Sequence, residues 1–173
     1  MRSVFVFLIL AILLYSCSSP DPIVPMSTMK LTSPAFADKQ MIPSDYTCDG
    51  AGKIPPLEIA DVPANAKSLA LVADDPDAPM GTWDHWVVFN IPAETKRIDS
   101  EPEGTPGKNS WGKTGYGGPC PPSGTHRYYF KIYALDAILD LPAGSNKASL
   151  LSAMKGHILG EASLMGTYQR VKK

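Results

Sequence analysis

Four side chains that can bind an anion or carry a proton lie at the ends of three apolar segments. Asp75 follows the run SLALVA (68–73), His85 begins the run HWVVFNI, and His126 and Tyr128 lie at the start of the run RYYFKIYAL. Imidazole and phenol groups can donate hydrogen bonds to an anion, and a carboxylate can hold an imidazole in one tautomer. These residue types predict a site for a small anion, whose affinity rises as pH falls through about 6.5.

The three apolar segments are predicted to be β-strands, since they are rich in β-branched and aromatic residues and end at Pro or Asp. Alternate side chains of an extended chain point to one face, so each polar residue is expected to share a face with apolar residues of its own strand. The groups are Asp75 with Leu69, Leu71 and Ala73; His85 with Val87 and Phe89; and His126 and Tyr128 with Phe130 and Ile132. Neighbouring strands with these ends together would form a small-ligand pocket over an apolar floor.

The rest of the chain reads as one domain, over residues 30–173, without internal repeats. Residues 30–33 predict a short strand, the apolar spacing of 147–162 predicts a helix, and 163–170 predicts a closing strand. The 17 prolines and 14 glycines favour many turns and disfavour a helical bundle. A hydrophobic fraction of 44% is enough for a core, and a formal charge of -1 without a basic tract excludes a nucleic-acid partner.

The N-terminal residues 1–16 have the pattern of a bacterial signal peptide. The apolar run Val4–Leu14 is shorter than the roughly 20 residues that span a bilayer. It ends in the sequence LYSC, which resembles a lipobox and predicts a lipid anchor at Cys17; an ordinary cleaved signal with an incidental cysteine is the alternative. Residues 17–29 then form a Ser/Pro-rich tether. We expect a membrane-anchored protein of the cell envelope on the periplasmic face, with Ser18 favouring the outer membrane of a Gram-negative cell.

Two cysteines remain in the domain, Cys48 and Cys120. Export to an oxidising compartment favours a disulfide between them, and two separate buried thiols are the alternative.

Four longer motifs resemble the phosphatidylethanolamine-binding protein family, in its bacterial Raf kinase inhibitor-like branch. They are DPDAP (75–79), WDHWVVFNIP (83–92), GYGGPCPP (115–122) and GTHRY (124–128), in the order and spacing of that family. The resemblance covers residues 30–170. It implies a mostly β fold, with one large antiparallel sheet packed on a smaller sheet and flanked by short helices.

The resemblance also implies a pocket that accepts phosphate, acetate or phosphoethanolamine. Its lining is carried over to Asp75, His85, His126 and Tyr128, with the backbone of Gly118, Pro119 and Cys120 at the rim. The Ala78–Pro79 peptide bond is expected to be cis, as it is in relatives.

Other polar residues near these motifs are expected to have structural roles. Asp74 and Asp77 are interpreted mainly as turn formers before proline, and Asp84 as part of the rim. Arg127 faces away from His126 and is expected to form an ion pair with an aspartate of the DPD turn. His157 is expected to be a surface or structural histidine.

Three functions remain open from the sequence. The first is non-enzymatic binding of a small anion or a phospholipid head group. The second is a protein-interaction module that inhibits a protease or a signalling kinase. A homodimer is a separate option for the partner, since bacterial relatives are often dimeric. The third is a hydrolase that uses the Asp/His cluster, against which no activated Ser or Cys nucleophile is recognisable. No cofactor is expected, and no metal site, because no ligand set at HxH or HExxH spacing occurs.

Overall fold

The computed structural model describes residues 28–170, which form two antiparallel sheets, and it confirms the predicted mostly β fold. The small sheet has the order β1-β2-β5, and the large sheet has the order β6-β4-β3-β7-β8. The strands are β1 (Lys30–Thr32), β2 (Leu57–Ala60), β3 (Ser68–Asp75), β4 (Trp83–Pro92), β5 (Arg97–Ile98), β6 (Thr105–Pro106), β7 (Thr125–Leu135) and β8 (Ile158–Gln169). The helical elements are a short 3-10 turn (Ser44–Tyr46) and α1 (Lys147–Met154).

The large sheet is covered on both faces. One face packs on the small sheet through a cluster that includes Leu31, Leu57 and Trp86. The other face packs on α1 and the segment before it, through a cluster that includes Val87 and Leu150. Every residue of β3 is buried, because this strand lies at the centre of the large sheet with packing on both sides.

The helix predicted over 147–162 is wrong in its second half. α1 ends at Met154, Gly156 adopts a φ of 85°, and residues from Ile158 onward pair with β7. A positive φ suits glycine and turns the chain out of the helix. Pairing along a neighbouring strand then overrides the helical spacing of the apolar residues.

The segment of residues 39–42, between β1 and β2, lies along β8 and forms hydrogen bonds with it. The backbone N–H of Lys39 donates to Met165 at 2.7 Å, and that of Ile42 donates to Thr167 at 2.8 Å. Ile42 is fully buried, and it lies where a Cβ on Gly166 would stand, 2.4 Å from the Ile42 Cγ1 atom. Glycine at 166 therefore permits this segment to lie flat along β8.

The expected cis bond at Ala78–Pro79 is wrong: no peptide bond among residues 28–170 is cis. The N–H of Gly81 donates to the Ala78 carbonyl at 3.1 Å and closes a turn between β3 and β4. Pro79 then occupies the second position of the turn, where the φ of a trans-linked proline already fits.

Cys48 and Cys120 are joined by a disulfide in the structure, across a sequence separation of 72. The predicted signal peptide, the lipid attachment at Cys17 and nearly all of the tether lie outside the described residues. Within residues 28–170, no helix is both long and apolar enough to cross a membrane.

Candidate anion-binding site

The ends of three adjacent strands bring the predicted site residues together. β3 lies between β4 and β7 and runs antiparallel to both, so its C-terminal end is next to their N-terminal ends. Asp75 ends β3, His85 lies near the start of β4, and His126 and Tyr128 lie near the start of β7. All four residues are at least 93% buried, the most accessible being His126, which is 7% exposed.

His85 reaches the site through a β-bulge, which the simple alternation argument missed. Ala73 pairs with Trp86 and Asp74 pairs with Asp84, so His85 is an extra residue opposite β3. An extra residue reverses the alternation of the side chains that follow it. His85 therefore lies on the pocket side, whereas Val87 and Phe89, expected on its face, pack in the cluster with α1.

The alternation is correct for the other two strands. Asp75 and His126 line the same cavity, and the apolar residues that share their strand faces pack in the cluster toward the small sheet. These residues are Leu69, Leu71, Ala73, Tyr128, Phe130 and Ile132.

Asp75 fixes the orientation of one imidazole. Its Oδ2 accepts a hydrogen bond from His126 Nδ1 at 2.7 Å, and its Oδ1 accepts one from the backbone N–H of Asp77 at 2.8 Å. Because a carboxylate only accepts, the proton of His126 is on Nδ1 and its Nε2 is left for a ligand. Asp75 thus holds His126 in one tautomer, as expected, and also stabilises the turn that follows β3.

The backbone of Gly117 fixes the other imidazole. His85 Nδ1 donates to the Gly117 carbonyl at 2.7 Å, and the N–H of Gly117 donates to the His85 carbonyl at 2.9 Å. Nε2 of His85 is therefore the nitrogen available to a ligand, and it becomes a donor when the ring is protonated. Burial lowers the pKa of His85 below its ordinary value, an effect that the bond to Gly117 and nearby carboxylates partly offset.

The hydroxyl of Tyr128 is a buried polar group without a hydrogen bond among the described residues. Burial, and then the nearby charge of Asp75, raise the pKa of Tyr128 far above its usual range, so the group is a neutral phenol. The hydroxyl also lies near the Cys120 backbone, but it completes a hydrogen bond of ordinary geometry with neither neighbour. A buried donor without a partner is uncommon in proteins and is typical of a ligand-binding position.

These groups open on a cavity of about 730 Å³. Of the seven residues predicted to bind the ligand, six line it: Asp75, His85, Gly118, Cys120, His126 and Tyr128. The seventh, Pro119, is buried outside the lining, where its carbonyl accepts the N–H of Cys48 at 3.1 Å. Gly118 is needed here, because a Cβ at this position would come within 2.9 Å of the backbone of Tyr46 and Thr47.

Several lining residues were not assigned to the pocket from the sequence. They are Cys48, Ala78, Pro79, Met80, Asn109, Trp111, Lys113, Thr114, Tyr116, Gly117 and Pro122. Most of them lie in loops, where no periodicity marks a face. Trp83, the first residue of β4, lines the cavity as well. The motif GYGGPCPP was the available signal for Gly117 and Pro122.

Asp74 and Asp84 have roles different from those expected. Both lie behind the pocket, on the α1 face of the sheet, and Lys147 Nζ joins them at 2.9 Å to Asp74 and 2.6 Å to Asp84. Asp74 also binds Lys131 at 2.8 Å. Asp74 is therefore a buried ion-pair residue and not mainly a turn former, and Asp84 is not part of the rim.

The expectations for Arg127 and His157 agree with the structure, whereas Asp77 is an ion-pair partner and not mainly a turn former. Arg127 forms an ion pair with Asp77 of the DPD turn through two nitrogens, at 2.8 and 2.6 Å. This pair lowers the pKa of Asp77 to about 2. His157 lies partly exposed and its Nδ1 is 2.8 Å from Asp136, away from the cavity.

The residues in the cavity can bind an oxyanion through up to three donors, namely two imidazolium Nε2 groups and one phenol. Among residues 28–170, no three His, Cys, Asp or Glu side chains are grouped in a way that could hold a metal ion.

Comparison with known proteins gives consistent matches over nearly all of the described chain. The family model of phosphatidylethanolamine-binding proteins matches residues 32–169. A UPF0098 protein of Methanothermobacter thermautotrophicus is 52% identical over 150 residues, which cover 82% of this chain and 99% of that protein. A UPF0098 protein of Chlamydia muridarum is 46% identical over 149 residues, with coverages of 82% and 99%.

Two solved structures share the fold. A phosphatidylethanolamine-binding protein homologue from Chlamydia trachomatis superposes with a TM-score of 0.80 at 45% identity, over 83% of this chain and 98% of that chain. Escherichia coli YbcL, a member of the mammalian family of these proteins, superposes with a TM-score of 0.76 at 29% identity, over 83% and 99%. The sequence motifs, the two-sheet fold and these matches agree, and the chain belongs to the phosphatidylethanolamine-binding protein family.

Proposed function

We propose that this protein binds a small oxyanion, such as a phosphate monoester, a phosphoethanolamine-like head group or a carboxylate, without transforming it. Membership of the family supports a binding-type function, because its members are generally non-catalytic binding proteins. The observation that carries the proposal is the buried Tyr128 hydroxyl, which has no hydrogen bond among the described residues and lines the same cavity as two oriented imidazoles.

The two histidines supply the charge for this binding. Each uses Nδ1 for a hydrogen bond to the protein and keeps Nε2 for the ligand. Asp75 lies on the far side of the His126 ring, with its Oδ2 2.7 Å from Nδ1. An oxyanion on the Nε2 side then completes a carboxylate–imidazolium–anion series in which neighbouring charges alternate in sign.

Titration calorimetry of the full-length protein in detergent with inorganic phosphate, at a pH of about 6, tests the proposal. His85→Gln and His126→Gln are each expected to weaken binding roughly tenfold or more, the usual loss for a hydrogen bond to a charged group. The matched control is His157→Gln, which changes the third histidine, away from the cavity, and is expected to leave the affinity unchanged.

Circular dichroism melting of each variant separates loss of binding from loss of folding. The proposal is overturned if the wild-type protein binds no phosphate, or if His157→Gln weakens binding as much as the two pocket variants. Release of p-nitrophenol from p-nitrophenyl phosphate by the wild type, abolished in His126→Gln, would replace the binding function with a hydrolase.

The lipid anchor at Cys17 is a separate part of the proposal, and it rests on the LYSC sequence that follows the apolar run. Cys17→Ser is expected to move the protein from the membrane pellet to the soluble fraction of the cell envelope, since the thiol that carries the lipid would be lost. Cell fractionation with immunoblotting measures this. Wild-type protein already in the soluble fraction would favour an ordinary cleaved signal peptide, and a variant that stays in the pellet would contradict the anchor at Cys17.

A further inference from the structure

The outer part of the cavity differs from its polar end, because its walls are apolar and aromatic. Met80 is 94% exposed and Trp111 is 44% exposed, and both line this cavity. They are two of only five large hydrophobic side chains that are exposed among residues 28–170. Exposed apolar side chains concentrated at a pocket mouth mark a surface that another molecule covers.

Three rings form a corner in this wall. The Trp83 and Trp111 rings are 5.5 Å apart between centroids at an angle of 79°, and the His85 and Trp111 rings are 5.0 Å apart at 84°. A flat aromatic group placed in such a corner can stack on one ring and meet another edge to face, both of which are favourable arrangements.

The position of Trp111 is fixed by the chain around it. A Cβ on Gly117 would come within 2.4 Å of the Trp111 ring, so the ring lies directly against the backbone that also orients His85. The backbone N–H of Trp111 donates to the Asn109 side chain at 3.1 Å. The partly exposed ring is therefore held next to the anion-binding groups.

The cavity is much larger than its polar end requires. Its volume of about 730 Å³ lies within the range of about 300–1,000 Å³ that is usual for drug-sized ligands, and a single phosphate would fill only a small part of it. Lys113 adds a positive charge to the lining, in keeping with an anionic ligand.

We propose that the ligand is an aryl ester of phosphate, whose phosphate lies at His85, His126 and Tyr128 and whose aromatic ring lies in the corner of Trp83 and Trp111. This inference rests on the proposed function and narrows its ligand class. An alkyl ester would fill the same space but would lack the stacking and edge-to-face contacts.

Calorimetry with phenyl phosphate, cyclohexyl phosphate and inorganic phosphate tests the inference on the full-length protein. The first two ligands have the same number of ring carbons and differ mainly in aromaticity. Phenyl phosphate is expected to bind roughly threefold to tenfold more tightly than cyclohexyl phosphate, the usual contribution of an aromatic pair. Trp111→Leu is expected to bring that ratio close to one, and Trp111→Phe to retain most of it.

Leu151→Ala is the matched control, because Leu151 is 42% exposed on α1 and does not line the cavity. It is expected to leave the ratio unchanged. Equal affinities for all three ligands would overturn the aryl ester and leave the proposed function standing. A preference for cyclohexyl phosphate, or a phenyl preference that survives Trp111→Leu, would also overturn it. Absence of binding by every phosphate would defeat the proposed function and the inference together.

Discussion

The hydrogen bonds of the two pocket histidines make anion binding depend on protons. His85 donates through Nδ1 to a carbonyl and His126 donates through Nδ1 to a carboxylate. In the neutral rings Nε2 therefore carries a lone pair, which repels an anion, and only protonation converts it to a donor. An anion next to Nε2 of His85 stabilises the charged form of that ring and raises its pKa in the complex.

The pH dependence of affinity follows from this linkage. A group whose pKa rises on binding gives the highest affinity below its pKa in the free protein, and the affinity falls as the pH rises through its pKa in the complex. Burial keeps the pKa of free His85 below 6.5, so the affinity is expected to keep increasing below that pH. Sulfate, which stays fully ionised, is the suitable probe in calorimetry between pH ~7.5 and ~5.5. A constant or decreasing affinity on acidification would contradict this role of the histidines.

A substitution at Tyr128 is expected to change ligand affinity without changing the stability of the fold. Its hydroxyl forms no hydrogen bond among the described residues. Tyr128→Phe therefore removes a buried donor and breaks no hydrogen bond within the protein. We expect the free energy of unfolding to stay within about 0.5 kcal/mol of the wild type. Phosphate binding is expected to weaken roughly threefold to tenfold, the worth of one hydrogen bond. Urea denaturation and calorimetry measure the two quantities, and a large loss of stability with unchanged affinity would show a structural hydroxyl.

At the scale of elements, the start of β4 lies between the pocket on one face of the large sheet and α1 on the other face. The residue just before His85 is Asp84, which pairs with Asp74 and points toward α1. Lys147, the first residue of α1, binds both carboxylates and is about four-fifths buried. Burial lowers the pKa of Lys147, but its bonds to Asp84 and Asp74 outweigh that effect and raise it. These bonds tie the start of α1 to the residue next to His85.

Lys147 is accordingly expected to act as a positioning residue for His85. Lys147→Met removes the contacts to Asp84 and Asp74. Lys131→Met removes the contacts to Asp74 and to the Tyr129 ring and leaves Lys147 in place. Both changes are expected to lower the free energy of unfolding, because each takes a cation from a buried carboxylate. Only Lys147→Met is expected to shift the NMR resonances of the His85 ring and to weaken phosphate binding. Equal effects of the two variants on His85 would show that Lys147 has a general structural role.

The sequence was sufficient to predict the three strands that carry the site and which of their ends meet. It predicted neither β2, β5 and β6 nor every side-chain direction. Hydrophobic runs between Pro and Asp identify β3, β4 and β7, and alternation places Asp75 and His126 correctly. Alternation fails at His85, because a bulge adds one residue and nothing in the local composition marks it. The end of α1 was missed because the spacing of apolar residues continues into β8, where strand pairing decides the conformation.

At the scale of the whole molecule, the disulfide ties the pocket rim to a distant part of the chain. Cys48 follows the 3-10 turn and Cys120 lies in the loop before β7, and both line the cavity. Closing a loop of this length, with a sequence separation of 72, restricts the unfolded chain and stabilises the fold by roughly 4 kcal/mol.

Removal of both sulfur atoms is therefore expected to lower stability substantially. The double variant Cys48→Ser with Cys120→Ser should lose roughly 3–4 kcal/mol of unfolding free energy, measured by urea denaturation. Wild-type protein treated with a reductant should show the same loss of stability. This comparison separates the effect of the lost disulfide from that of the serine substitutions. An identical denaturation midpoint with and without reductant would mean that the disulfide makes no such contribution.

The segment of residues 39–42, which lies along β8, has a consequence for solubility. β8 is the outermost strand of the large sheet, and a long outermost strand with unpaired N–H and C=O groups can recruit strands of other molecules and start aggregation. The hydrogen bonds from Lys39 and Ile42 occupy carbonyls of Met165 and Thr167, which would otherwise present that template. The chain thus shields its own last strand, and a version shortened past Ile42 would lose this protection.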